Sequence, residues 1–342
     1  MANRHFGSTR YWLERSKDWQ PRLSFKGENK RDWEEWRKDA SDRLLGLLGE
    51  FPERVDLAAE VEYSVQDGDL IRERVVFDSE AFASVPCVVL RPAVMKPDRS
   101  NAAIICCNGH PVDMGKDPVA GIRSGPEWEA SIALMNYNYG EQMARAGFLT
   151  IIPELRGFGE RNDSEGRKDV CNLNYVKGSI LGAYPLTLNI WDIKCCIDYL
   201  ETRAEVDPGR IGMMGLSYGG TMTAFTAAIE PRIKAADIMA YVNPFRGFGL
   251  ERGNFCGSQV IPEIYKYFDT HDIAGLIAPR PLLVEMGLYD ECFYFHDLNK
   301  GYEGVRGIYE AAEAGDSLEA DVFPGPHAFS GNKAFAFFKK HL

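Results

Sequence analysis

The chain has no apolar run of about 18 residues, the length a helix needs to cross a bilayer. It has no basic excess either: 39 Lys and Arg stand against 50 Asp and Glu, a net charge of −11 over 342 residues. Nucleic acids and anionic membranes are held by clustered cations, so neither is an expected partner. H-E-x-x-H, C-x-x-C and a Walker loop are all missing, so no metal and no cofactor is expected. The N-terminal stretch lacks the apolar core of a secretory signal. Of the eight cysteines, Cys106-Cys107 and Cys195-Cys196 are adjacent pairs inside apolar runs, where thiols act as small hydrophobes. The expectation is a reduced, cytoplasmic protein, with a secreted mature form as the alternative.

What is present reads as α/β. Trp33, Trp36, Ala40, Leu44 and Leu47 recur at spacings of three and four, which predicts an amphipathic helix over 32–48. It packs on the main body or, alternatively, on a second copy in a homo-oligomer. Residues 55–92 read as a strand meander, with Asp67-Gly68 as a hairpin turn. From residue 102, continuous apolar runs alternate with helical patterns. Runs apolar at every position suit strands buried on both faces, so a mostly parallel central sheet flanked by helices is predicted. The division is an N-terminal helical extension over 1–54 and a main α/β domain over 55–342. Three long loops, 111–135, 157–185 and 243–275, each follow a strand and fall at the sheet's carboxyl edge, where open α/β sheets bind ligands.

The sharpest local signal is Gly215-Leu216-Ser217-Tyr218-Gly219-Gly220, between the strand run 210–214 and the helix pattern 221–225. A bare G-x-S-x-G arises by chance in about one chain in ten of this length, with glycine near 7% of residues. The strand before it and the helix after it make coincidence far rarer. The arrangement is a nucleophile elbow: two glycines permit a sharp turn that lifts Ser217 above the sheet edge, and the amide of Tyr218 points at the oxyanion formed on attack.

A serine nucleophile needs a base, and the base an orienting acid. Six histidines are available. His5 and His341 lie at the termini, His110 precedes the nucleophile and His271 sits in a long loop. His327 directly follows the last predicted strand, the position from which an imidazole reaches the elbow. His296, beside an aromatic cluster, is the second choice. Asp290 lies on the turn after the strand 281–286 and between Ser217 and His327 in chain order, and so is the expected acid. Glu291, Asp297 and the in-strand Glu285 are weaker candidates. The loop Asn108-Gly109-His110-Pro111 should supply the second oxyanion donor, the amide of His110. Cys292 and His296, four apart, read as core rather than metal ligands. Arg156 reads as holding the loop edge together, and Asp192 and Asp198 as capping or pairing.

These motifs carry a resemblance. Together with Arg156-Gly157-Phe158-Gly159, Asp207-Pro208-Gly209-Arg210, Ala278-Pro279-Arg280-Pro281 and Gly325-Pro326-His327, they make residues 83–342 resemble the α/β-hydrolase superfamily, closest to bacterial dienelactone-hydrolase-like and acetyl-xylan-esterase-like proteins. Asn108 stands where that pattern usually has histidine. The resemblance implies an α/β-hydrolase fold and a serine carboxylesterase with no cofactor, acting on a small-molecule ester. The substrates would be short-chain acyl esters, with acetyl esters of carbohydrates the nearest class. The alternatives are a peptidase of prolyl-oligopeptidase type, a lactone or carbon–carbon bond hydrolase, and a non-catalytic binding protein. The peptidase type carries a β-propeller, for which about 100 residues ahead of the sheet run are too few.

Overall fold

The computed structural model describes residue 4 and residues 6–110, 113–163 and 169–342. His5, Pro111 and Ser164, and parts of the first two long connections, lie outside the described residues. Among the described residues, nine strands form one sheet in the order β1-β2-β3-β5-β4-β6-β7-β8-β9. The strands are β1 Glu60–Asp67, β2 Leu70–Glu80, β3 Ala83–Pro92, β4 Asn101–Cys107, β5 Leu149–Pro153, β6 Val206–Leu216, β7 Ile233–Met239, β8 Leu282–Gly287 and β9 Leu318–Phe323. The first three pair antiparallel, turning at Asp67 and Gly68, whose φ of 64° needs a residue without Cβ. β3 also pairs with β5, so the meander is continuous with the main sheet. From β4 to β9 every pairing is parallel.

Alternate residues of each inner strand feed two cores, which explains the unbroken apolar runs. On β4, Ala103, Ile105 and Cys107 face one core, and Ala102, Ile104 and Cys106 the other. The helices are α1 Ser8–Arg15, α2 Lys30–Leu48, α3 Pro126–Met135, α4 Tyr139–Arg145, α5 Val170–Leu181, α6 Pro185–Thr202, α7 Tyr218–Ile229, α8 Ile264–Tyr267, α9 Thr270–Gly275, α10 Phe295–Ala311 and α11 Ala334–His341. Helices α2, α6, α7 and α10 cover the first core; α4 and α11 cover the second.

Helix α2 starts where the Asn29 side chain accepts the Asp32 amide at 3.1 Å and stops at Gly49, φ 78°. Its Trp33, Ala40, Leu44 and Leu48 are buried in the first core. Truncating one such leucine to alanine costs about 2–5 kcal/mol. The three long connections are not plain loops: α3 occupies the first, α5 the second, and α8 and α9 the third.

Ion pairs and side-chain bonds to carbonyls fasten both ends of the sheet. Asp192 on α6 is fully buried, takes two bonds from Arg156 at 2.7 and 2.8 Å and one from Arg161 at 2.8 Å, while Arg156 also reaches Glu80 at 2.6 Å. Arg156 is thus a structural clamp, and Asp192 its partner. Asp198 pairs with Arg232 at 2.6 Å and with Arg54. In the Ala-Pro-Arg-Pro stretch, Arg280 donates to the carbonyls of Ala227, Glu230 and Ile233, clamping the end of α7 to the start of β7.

Candidate active site

Strand β6 ends and α7 begins at Ser217, whose backbone sits at φ 62°, ψ −114°. That positive φ costs an L-residue strain, and the surrounding contacts enforce it. The Ser217 amide donates to the Met239 carbonyl on β7 at 3.0 Å, and its carbonyl accepts from Thr221 at 3.0 Å. A Cβ on Gly215 would stand 2.4 Å from the backbone of Gly219, and one on Gly219 would stand 2.1 Å from the Cys107 carbonyl oxygen. Both glycines are therefore required by packing of the turn against β4.

The loop after β4 closes over Ser217: a Cβ on Gly109 would lie 3.1 Å from the Ser217 Cβ. The buried Tyr137 hydroxyl accepts the Gly109 amide at 2.6 Å, and the Tyr139 hydroxyl donates to the Cys107 carbonyl. Asn108 Nδ2 reaches the Gly109 carbonyl at 3.0 Å. Two tyrosines and an amide thus hold the loop in place of the histidine. Among the described residues, the amides of His110 and Tyr218 donate to no protein acceptor. The Tyr218 ring is buried, stacked on Phe158 at 5.2 Å, and its hydroxyl accepts from Asn189 at 2.9 Å.

Asp290 follows β8 and His327 follows β9, at the same carboxyl edge as Ser217 because β6 to β9 run parallel. Asp290 Oδ2 and His327 Nδ1 are 2.8 Å apart. Asp290 Oδ1 accepts the amides of Cys292 and Phe293 at 2.8 and 2.7 Å. Burial with two amides on one oxygen leaves the other to face the imidazole. The His327 ring stacks on Phe293 at 5.5 Å, and Phe293 stacks on Phe248 at 4.0 Å. The structure therefore brings Asp290 and His327 together. Among the described residues no hydrogen bond joins Ser217 Oγ to His327; in free enzymes such contacts often close only when substrate binds.

The other candidates fall elsewhere. His296 is exposed, with Asp297 3.4 Å away, and Cys292 is exposed too, so neither is core; Cys292 instead groups with Asp290 and His327. His271 packs on α10 at Gly304, and His341 lies against Phe337. Glu291 is exposed, Asp297 pairs with Arg252 at 3.2 Å, and Glu285 is buried in β8. Of the aromatic residues near the loops, Tyr137 and Tyr139 support the β4 loop, Trp191 bonds the Ser79 carbonyl in the core at 2.8 Å, and Phe248 reaches the histidine through Phe293. Phe293 carries no sequence signal beyond its aromatic neighbours.

One further group lies beside the elbow. His110 Nε2 is 3.5 Å from Cys256 Sγ and 3.7 Å from Cys171 Sγ. The thiol of Cys171 is held below its ordinary range by the hydrogen bond from Cys256 and then by His110, and that of Cys256 is raised by the same pairing and by burial. These three residues, and separately Asp290, Cys292 and His327, are arranged so that a metal ion could contact all three ligand atoms. A cavity of about 360 Å³ lined by Arg156, Asn174, Lys177 and Leu181 contains none of them.

Comparison with known proteins bears on family and fold. The chain is 24% identical over 286 residues to the Bacillus subtilis (strain 168) protein named "Putative hydrolase YtaP", covering 82% of this chain and 90% of the relative. A Bacteroides fragilis structure described as a putative acetyl xylan esterase superposes with a TM-score of 0.77 at 17% identity, covering 94% of this chain and 83% of the other. A glucuronoyl esterase from Solibacter usitatus superposes with a TM-score of 0.67 at 15% identity, covering 94% and 97%. At these identities the structures establish a shared fold. The pattern of the Abhydrolase family matches residues 2–324, and with the strand–elbow–helix geometry it places the chain in that family, an α/β-hydrolase.

Proposed function

We propose that the chain is a serine carboxylesterase that hydrolyses short-chain acyl esters, with acetyl esters of carbohydrates as its natural substrates. The observation that carries this reading is the Asp290–His327 pair at 2.8 Å, on the sheet edge where Ser217 holds its strained backbone. Ser217 attacks the ester carbonyl and His327 takes its proton. Asp290 accepts from His327 Nδ1, fixing the tautomer and stabilising the imidazolium. The amides of Tyr218 and His110 receive the oxyanion and lower the barrier by a few kcal/mol. His327 then protonates the leaving alcohol and activates the water that releases the acid.

The substrate class draws on the acetyl xylan and glucuronoyl esterases that share the fold, and on the Phe248–Phe293 wall beside His327. A fluorophosphonate probe and nitrophenyl acetate test the reading together. Ser217 should be labelled, and Ser217→Ala should abolish both labelling and turnover with its circular dichroism unchanged. Labelling of another serine, or full turnover by the alanine variant, would overturn it.

A further inference from the structure

His110, Cys171 and Cys256 come from three separate connections: the loop after β4, the first turn of α5, and the segment just before the short turn Gly257–Gln259. They are 61 and 146 residues apart, measured from His110, yet their ligand atoms lie within 4.8 Å of one another. The separations suit a cation. In a tetrahedron with zinc–sulfur bonds of about 2.3 Å and zinc–nitrogen bonds of about 2.0–2.1 Å, nitrogen and sulfur stand about 3.6 Å apart. The observed distances from His110 Nε2 are 3.5 and 3.7 Å.

The surroundings hold this geometry in place. The His110 ring lies between Tyr218 and Phe158, with centroids 5.3 and 5.6 Å away. Next to Cys171, Asn172 Oδ1 accepts the Gly257 amide at 2.7 Å, which binds the two cysteine-bearing segments together. Ser258 Oγ donates to the Cys171 carbonyl at 3.4 Å. Gly257 is pressed so closely on Tyr175 that a Cβ there would stand 2.3 Å from the tyrosine Cβ. A disulfide between the cysteines would need no third donor, whereas the imidazole nitrogen stands nearly equidistant from both sulfurs.

We propose that His110, Cys171 and Cys256 form a zinc site that staples the three connections together beside the nucleophile. Two thiolates and an imidazole select zinc over the hard cations magnesium and calcium. Three protein ligands leave one corner of the tetrahedron for a water or another exogenous donor. The imidazole of His110, the residue after Gly109 in the loop over Ser217, is thereby fixed in place. Loading the site binds the oxyanion loop to α5 and to the third connection.

The test uses the full chain, reduced, freed of metal with a chelator, and titrated with cobalt(II) and then zinc. One equivalent of cobalt should give the intense visible bands of a tetrahedral ion and a thiolate-to-cobalt charge-transfer band whose strength reports two thiolates. Zinc should displace it. Cys171→Ser and Cys256→Ser should each lose the spectrum, and bound zinc measured by mass spectrometry should fall from one equivalent to background. Cys292→Ser, which removes a ligand from the group around His327, should keep both. The wild-type charge-transfer intensity decides the matter even where a serine variant misfolds. The proposal is overturned by an octahedral or absent cobalt spectrum, by binding that survives both serine variants, by loss confined to Cys292→Ser, or by a Cys171–Cys256 disulfide as the resting state.

Discussion

The hydroxyl of Tyr137 accepts the amide of Gly109 at 2.6 Å, which fixes the loop over Ser217 and leaves the next amide, that of His110, without an acceptor among the described residues. Removing that acceptor strands a buried donor, at a cost of about 1–3 kcal/mol. Tyr137→Phe should therefore lower kcat about tenfold with little change in KM, since the loop's role is greatest when charge develops on the substrate oxygen. Steady-state kinetics on nitrophenyl acetate checks this. An unchanged kcat would mean that the loop is held by Tyr139 and Asn108 alone.

The pair formed by Asp290 and His327 makes a sharper demand. Asp290→Asn keeps the size and can still accept the two amides of Cys292 and Phe293 on its one oxygen. Its NH2 then faces His327 Nδ1 and forces the wrong tautomer. A fall in kcat on the order of 10⁴ is expected, with similar or greater loss in His327→Ala. His296→Ala, whose ring is exposed, should keep nearly full activity. A reversed ranking of the two histidine variants would show that the base is wrongly assigned.

Stability should fall as pH rises, because of two buried acids on adjacent strands, Asp237 and Glu285, with the buried Asp321 on the next strand beside them. Glu285 Oε2 accepts the Ser330 amide at 2.8 Å, and Asp321 accepts the Ser330 hydroxyl at 2.7 Å. Both oxygens of Asp237 lack a partner among the described residues unless a proton is shared with Glu285. Burial, reinforced by the neighbouring carboxylates, pushes Asp237 well up and Glu285 from 4.5 to about 8. The folded chain then keeps protons that the unfolded chain has released. The stabilisation is whole below the ordinary carboxylate range and is lost as pH rises through it to about 8. Urea unfolding from about pH 5 to 9 should show that decline, and Glu285→Gln should flatten it. A stability that rises over this range would contradict the assignment.

Substrate size is tested at Phe248, which is buried and stacks on Phe293 at 4.0 Å. Acetyl and butyryl nitrophenyl esters should be cleaved much faster than decanoyl esters, since each methylene in a closed pocket shifts discrimination by about 1–3 kcal/mol. Phe248→Ala should raise the decanoyl-to-acetyl ratio of kcat/KM about tenfold or more. A wild-type maximum at long chains would mean an open cleft instead.

The sheet and the elbow were legible because local and global signals agree there. Helix α7, Tyr218–Ile229, contains the helix pattern at 221–225 and starts directly after Ser217, because the glycines around that residue permit the sharp turn out of β6. Strand β6 starts earlier than its apolar run, at Val206, because Asp207-Pro208-Gly209 reads locally as a turn although its flanks pair with β4. Helix α5 was hidden for the opposite reason: only Val170 and Cys171 are buried on it, and Ile180 and Leu181 are exposed, so no apolar stripe marks it. The group of His110, Cys171 and Cys256 left no trace, because each residue is unremarkable within its own segment and only the crossing of three connections joins them.

The backbone of Ser217 sets what heat-based selection would do to this protein. A residue at φ 62° carries strain of about 1–3 kcal/mol, which glycine would relieve at a smaller entropic cost of about 0.5–1 kcal/mol. Ser217→Gly should then melt above the wild type while being inert. A library screened only for survival at high temperature would drift toward discarding the hydroxyl proposed as the nucleophile, so selection for robustness and selection for turnover would pull this position in opposite directions.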